Sequence, residues 1–318
     1  MGQLVDGKWQ AEPLTESQKN GAFRRAETTF RNWITLEADA PFPAQSGRYH
    51  LYVSLACPWA HRTLIFRALK ELENHISVSV VDPLMLERGW KFPDQNGSSA
   101  DTVLGKSYLH EVYAEAYAHY TGRASVPVLW DKENCTIVSN ESSEIIRMFN
   151  SAFNEITGNK DDYYPEYLRG RIDEINARVY STLNNGVYKS GFARTQKAYE
   201  DAVFPLFDTL DWLEEILAEN RYVTGGEITE ADWRLFPTLL RFDSVYFGHF
   251  KCNIKRLVDY PNLWGFTREL YQWPGVGPTI NLPHIKQHYY ASHETINPTR
   301  IVPAGPDIDF SEPHGRGD

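Results

Sequence analysis

From Arg48 the chain alternates apolar and polar residues in a short run, Tyr49-His50-Leu51-Tyr52-Val53-Ser54-Leu55, and then changes period. Alternation at a spacing of two puts successive side chains on opposite faces of an extended strand. Between Pro58 and Leu72 the apolar residues Leu64, Ile65, Ala68, Leu69 and Leu72 fall on one face of a helix. Ile76-Ser77-Val78-Ser79-Val80-Val81 reads as a second strand, rich in β-branched residues, and the β-α-β order predicts that the two strands run parallel. An insertion with Gly89, Pro93, Gly97 and paired serines runs from Asp82 to about Thr102; helical spacing then returns between Lys106 and Tyr120. Val126-Pro127-Val128-Leu129-Trp130-Asp131 and Thr136-Ile137-Val138-Ser139 follow as strands joined by the polar turn Lys132-Glu133-Asn134, and Glu141 to Phe153 reads as a helix. The predicted order is β-α-β-α-β-β-α.

Beyond about Gly158 the alternation stops. Glu166 to Leu183, Gln196 to Leu217, Glu230 to Tyr246 and Asn262 to Trp273 are amphipathic at helical spacing, which predicts an all-helical second half. Thr229-Glu230-Ala231-Asp232 fits a capping box, a threonine with an acid three residues on, and Gly225-Gly226 supplies the turn before it. In residues 1–47 the breakers Pro13, Gly21, Pro41, Pro43 and Gly47 leave only Glu27 to Leu36 briefly helical, so this segment reads as a surface arm. From Asn297 the chain is again rich in proline and glycine, and this extension is expected to lie on the surface or fray. The resulting division is an arm (1–47), an α/β domain (48–157), a helical domain (158–296) and an extension (297–318).

Composition narrows the function. At 318 residues the chain can bury two cores. It has no long charge-free apolar window, and its first residues lack a basic run followed by an apolar stretch, so neither membrane insertion nor secretion is expected. Three cysteines, Cys57, Cys135 and Cys252, are too few for a disulfide framework and point to a reducing compartment, the cytoplasm. A net charge of -10 disfavours nucleic-acid partners. The aromatic content of 14% fits either thick cores or a stacking site for aromatic ligands. No His/Cys/Asp spacing suggests a metal site, and no glycine-rich phosphate loop occurs.

The candidate chemistry begins at Leu55-Ala56-Cys57-Pro58-Trp59-Ala60. Proline suits the first turn of a helix, where its missing N–H is no loss, which places Cys57 at or beside the N-cap, facing unpaired amides that favour a thiolate. The bland alternative is a small buried hydrophobe. No second cysteine stands one turn on, so a mixed disulfide at Cys57 needs an outside thiol to resolve it, for which glutathione is the natural cytosolic candidate. Val126-Pro127 sets a proline in what otherwise reads as a central strand; a cis peptide would turn the Val126 main chain toward an extended peptide ligand, whereas a trans proline on an edge strand is the alternative. At Ser139-Asn140-Glu141-Ser142 a strand gives way to a helix, whose amides and Ser142 hydroxyl suit a carboxylate while Glu141 suits an α-amino group, the two charges of a γ-glutamyl moiety. The same string also serves as a plain helix cap. His61 is one turn from Cys57 but lacks an evident orienting partner, and Cys135 and Cys252 read as structural or incidental.

Taken in order these elements resemble a thioredoxin-like domain followed by the all-α domain of cytosolic glutathione transferases. Leu55-Ala56-Cys57-Pro58-Trp59-Ala60-His61-Arg62-Thr63, Asp82-Pro83 through Gly89-Trp90, Asn184-Asn185-Gly186-Val187-Tyr188-Lys189-Ser190-Gly191-Phe192, and His288-Tyr289 through Ile296-Asn297-Pro298 resemble the Xi class, the glutathionyl-hydroquinone reductases, across nearly the whole chain. The resemblance implies Cys57 as nucleophile, with Trp90, Arg123, Ala124, Ser125, Val126, Glu141 and Ser142 contacting glutathione. It implies Tyr188 as proton donor, Tyr246 and Tyr289 as phenols that stabilise the thiolate, glutathione as co-substrate without a metal, a glutathionyl-hydroquinone substrate, and a homodimer. Two alternatives stay open: an Omega-type dehydroascorbate reductase or thiol transferase using the same cysteine, and a non-catalytic ligand-binding protein on the same fold.

Overall fold

A computed structural model describes residues 2–11, 20–93 and 97–317. Met1, Pro13, Asp318 and the stretch Asp94-Gln95-Asn96 within the insertion lie outside the described residues. The described residues form two bodies, one from residues 2–11, 27–93, 97–161 and 279–288, the other from residues 20–26, 162–278 and 289–317.

In the first body β1 (Gln3–Val5) and β2 (Lys8–Gln10) make a small antiparallel hairpin. The main sheet comprises β3 (Tyr49–Val53), β4 (Ser77–Val80), β5 (Val128–Asp131) and β6 (Thr136–Ser139), in the order β4-β3-β5-β6. β3 runs parallel to β4, with His50 opposite Ser77 and Val53 opposite Val80, and antiparallel to β5. Every residue of β3 is buried, as a central strand requires. Helix α1 (Pro58–Leu69) follows β3, α2 (Leu109–Ala116) packs against β6, and α3 (Ser142–Ser151) packs on α1; a one-turn α4 (Asn154–Thr157) ends the run.

Two local readings are corrected here. Glu27 to Leu36 is extended, not helical. It lies along the open edge of β6, where Asn32 donates its N–H to the Val138 carbonyl at 2.9 Å and Asn140 donates to the Phe30 carbonyl at 3.1 Å. An uncovered edge strand offers a row of unpaired backbone groups, and pairing with them outweighs a brief helical pattern. Val126-Pro127 lies just ahead of β5, not within it, so the proline takes no rung of the ladder.

The second body is helical: α5 (Arg169–Val179), α6 (Gly186–Gly191), α7 (Gln196–Glu219), α8 (Glu230–Arg241) and α9 (Pro261–Gln272). A last helix, α10 (Leu282–Ser292), begins in the first body and ends in the second. Leu206, Leu210, Leu213 and Leu217 form the buried stripe of α7, which packs on α6 and α9, and α5 packs on α8. The capping box at Thr229 and Asp232 starts α8. After α5 and α8 the helix widens into single π-type turns, Tyr180–Asn184 and Phe242–Tyr246, in which Asn185 N–H reaches back to the Tyr180 carbonyl and Phe247 N–H to that of Phe242. The extension has no regular structure but does not hang free. Phe310 is buried between the rings of Trp264 and Tyr271, and Arg316 Nε pairs with Glu269 Oε2 at 3.0 Å.

Candidate active site

Cys57 is the N-cap of α1. Its backbone is extended (φ -77°, ψ 121°), Pro58 holds the first helical position, and the Cys57 carbonyl accepts the first helical hydrogen bond from His61 N–H at 2.9 Å. No acidic side chain stands in the first turn to compete for its amides. The thiol is half-buried and donates to the Val126 carbonyl at 3.6 Å, so the carbonyl assigned to a ligand faces the cysteine itself. The Val126–Pro127 peptide is cis. His61 is buried and hydrogen-bonded through Nε2 to Thr279 Oγ1 at 2.8 Å.

The other residues assigned to glutathione sit in the same body as Cys57. Ser125 is tied to the buried Tyr113, whose hydroxyl donates to the Ser125 carbonyl at 2.8 Å and accepts from Asn140 Nδ2 at 3.0 Å. Arg123, Ala124, Ser125 and Val126 thus form one segment leading into β5, with the Arg123 carbonyl accepting from Tyr120. Glu141 caps α3, accepting from the Ser143 N–H at 3.0 Å and from Thr28 Oγ1 at 3.2 Å, and Ser142 opens the helix. Glu141 therefore does serve as a cap, with one carboxylate oxygen on the helix and the other on the arm. Trp90 is buried at the end of the loop after β4, its indole stacked on His288 at 4.8 Å.

The second body brings the three tyrosines together from α6, a π-type turn and α10. Tyr188 and Tyr289 share a hydrogen bond of 2.6 Å between their hydroxyls, and Tyr246 and Tyr289 one of 3.2 Å. Tyr246 and Tyr289 are fully buried, which pushes both phenols well above their ordinary range, so they stay protonated at neutral pH and able to donate. Sequence reasoning did not single out the residues that frame them. Phe250 lies 5.5 Å from the Tyr188 ring and stacks on Tyr246 at 5.6 Å, and the Arg25 guanidinium sits 4.6 Å over Tyr188 while donating to Asn185 Oδ1. The approach of Phe250 requires glycine at Gly191, where a Cβ would lie 2.2 Å from the ring. Neither Phe250 nor Arg25 carries a local motif that would have marked it.

Cys252 is buried, its thiol pushed up to about 12 by desolvation, and Cys135 sits exposed in the β5–β6 turn at φ 50°. Among the described residues no cluster of three His, Cys, Asp or Glu side chains could hold a metal, and no helix is long and apolar enough to cross a membrane.

This arrangement matches two domain models: residues 56–152 fit the glutathione S-transferase N-terminal domain and residues 196–269 its C-terminal domain. The chain is 55% identical to the glutathionyl-hydroquinone reductase YqjG of Escherichia coli, over 99% of this chain and 98% of that protein. The glutathione-bound structure of YqjG superposes with a TM-score of 0.90 at 53% identity, covering 99% of both chains. A Xi-class transferase from Natrialba magadii superposes at 0.95 with 48% identity, over 99% of this chain and 97% of the other. The chain belongs to the glutathionyl-hydroquinone reductases, the Xi class of glutathione transferases, a family of glutathione-dependent oxidoreductases.

Proposed function

We propose that the protein reduces glutathionyl-hydroquinones to hydroquinones, with glutathione as co-substrate and Cys57 as the nucleophile. The observation that carries this reading is the 55% identity, across nearly the whole chain, to a reductase named for that substrate. The placement of Cys57 at the start of α1 agrees with it. The Cys57 thiolate attacks the sulfur of the glutathionyl group. A sulfur–sulfur bond forms as the bond between sulfur and ring carbon breaks, and the ring carbon keeps the electron pair and takes a proton from Tyr188. Hydroquinone leaves, and Cys57 is held as a mixed disulfide with glutathione. A second glutathione thiolate attacks that disulfide, expelling oxidised glutathione and returning Cys57, so that one glutathione thiol and the sulfur of the glutathionyl group end joined as a disulfide for each carbon–sulfur bond reduced.

In this scheme Trp90, Arg123, Ala124, Ser125, Val126, Glu141 and Ser142 hold glutathione. Tyr246 and Tyr289, kept protonated by burial, donate to the charged sulfur. Residues 48–157 are the glutathione-binding domain and 158–296 the substrate domain of a cytoplasmic homodimer. Cys57→Ala abolishes reduction of glutathionyl-hydroquinone; turnover retained by that variant contradicts the scheme.

A further inference from the structure

The loop that ends at Trp90 is fixed by ring nitrogens drawn from three distant parts of the sequence. Trp9 Nε1 donates to the Glu87 carbonyl at 3.0 Å, His110 Nδ1 lies 3.1 Å from the Arg88 carbonyl, and His288 Nδ1 lies 2.9 Å from the Pro83 carbonyl. A carbonyl oxygen can only accept, so both histidines carry their proton on Nδ1 toward the loop. The rings themselves close around it. Trp9 stacks on His110 at 4.5 Å, and His288 stacks on the Trp90 indole at 4.8 Å. Trp9 lies so close that a Cβ at Gly89 (φ 76°) would come within 2.9 Å of its indole. Trp90 closes the loop by accepting the Leu109 N–H at 2.9 Å, and neighbouring Lys91 accepts from Asp82 N–H at 2.9 Å. The N-terminal hairpin, α2 and α10 thus each contribute one aromatic N–H to a loop that has little regular structure of its own.

We infer that Trp9, His110 and His288 are positioning residues for glutathione, acting through the loop that presents Trp90. The inference rests on the reading that Trp90 contacts glutathione. A loop without a strand or helix to fix it loses conformational freedom when it binds a ligand, and hydrogen bonds made beforehand reduce that loss. Each ring donor therefore raises glutathione affinity without touching glutathione.

The test is a double-mutant cycle on the full chain, with the dissociation constant of reduced glutathione measured by calorimetry and the melting temperature recorded for every variant. Trp9→Phe and His288→Phe each keep a ring for stacking and lose the donated N–H. Each is expected to weaken glutathione binding about three- to tenfold, the scale of one lost hydrogen bond. In a Trp90→Ala background the same substitutions are expected to weaken it no further. A purely structural role lowers the melting temperature and leaves the dissociation constant of the folded protein unchanged. That result overturns the inference, as does an equal loss in both backgrounds. If Trp90→Ala alone binds glutathione as tightly as the unaltered protein, the assignment of Trp90 fails, and this inference falls with it.

Discussion

Tyr188→Phe separates a proton donor from a packing residue. The substitution removes one hydroxyl and the 2.6 Å hydrogen bond to Tyr289, while the ring keeps its neighbours: the Arg25 guanidinium 4.6 Å above it, Phe250 at 5.5 Å and Phe192 at 6.4 Å. On the structural side the loss is one hydrogen bond in a half-buried position, worth about 1 kcal/mol of stability, which leaves the helical body folded. On the chemical side, a positioned general acid contributes about 10²- to 10⁴-fold, or about 3–5 kcal/mol of barrier. The two magnitudes are far enough apart to be told from one another. The assay is a single turnover with glutathionyl-hydroquinone, following hydroquinone by chromatography, beside calorimetric titration with glutathione. Hydroquinone release is expected to slow by at least about a hundredfold while glutathione affinity holds. Release within about threefold of the unaltered protein refutes the assignment of Tyr188 as the acid.

Two further substitutions test other parts of the structure. His50 lies wholly inside the sheet with Nδ1 2.7 Å from Ser77 Oγ, and burial lowers its pKa from 6.5 to about 4. Because the folded value is the lower one, the neutral ring stabilises the fold above pH 6.5, and that contribution, about 3 kcal/mol, drains away as the pH falls from 6.5 toward 4; urea midpoints across this range should fall less steeply for His50→Leu, and an unchanged slope contradicts the argument. Arg316→Ala removes the ion pair to Glu269 and the bonds to the Asn262 and Asn220 carbonyls, but Glu269 keeps Arg221 as a partner at 2.8 Å. The cost should therefore stay at about 1–3 kcal/mol and show as faster proteolytic trimming of the C-terminal extension, while an unchanged cleavage rate means that Phe310, Gln272 and the Arg268–Glu312 pair hold it without Arg316.

What could be read from the sequence was what short-range physics controls. The Cys57-Pro58 pair marks the start of α1, and Thr229 with Asp232 marks the start of α8, because capping chemistry resides in residues three apart. Glu27 to Leu36 misled because its partner, the edge of β6, lies about a hundred residues away, and helical spacing carries no record of that pairing. Helices α6 and α10 were missed for a different reason. α6 is a short segment behind a π-type turn, where the hydrogen-bond spacing changes and a 3.6-residue period is lost, and α10 mixes histidines, tyrosines and a lysine without a clean apolar stripe. The tyrosine cluster was legible only through resemblance, since its three hydroxyls meet across separations of 101 and 43 residues. No local pattern distinguishes those three from the other tyrosines among the eighteen in the chain.

In the proposed scheme Cys57 carries glutathione between the two halves of the reaction. Its most direct test is mass spectrometry of the intact protein and its peptides after brief exposure to a glutathionyl-hydroquinone in the absence of free glutathione. One glutathionyl group is expected, on the peptide containing Cys57, with an equal amount of hydroquinone released and with loss of the adduct when glutathione is added. Hydroquinone released with Cys57 unmodified, or an adduct confined to Cys135, would contradict it.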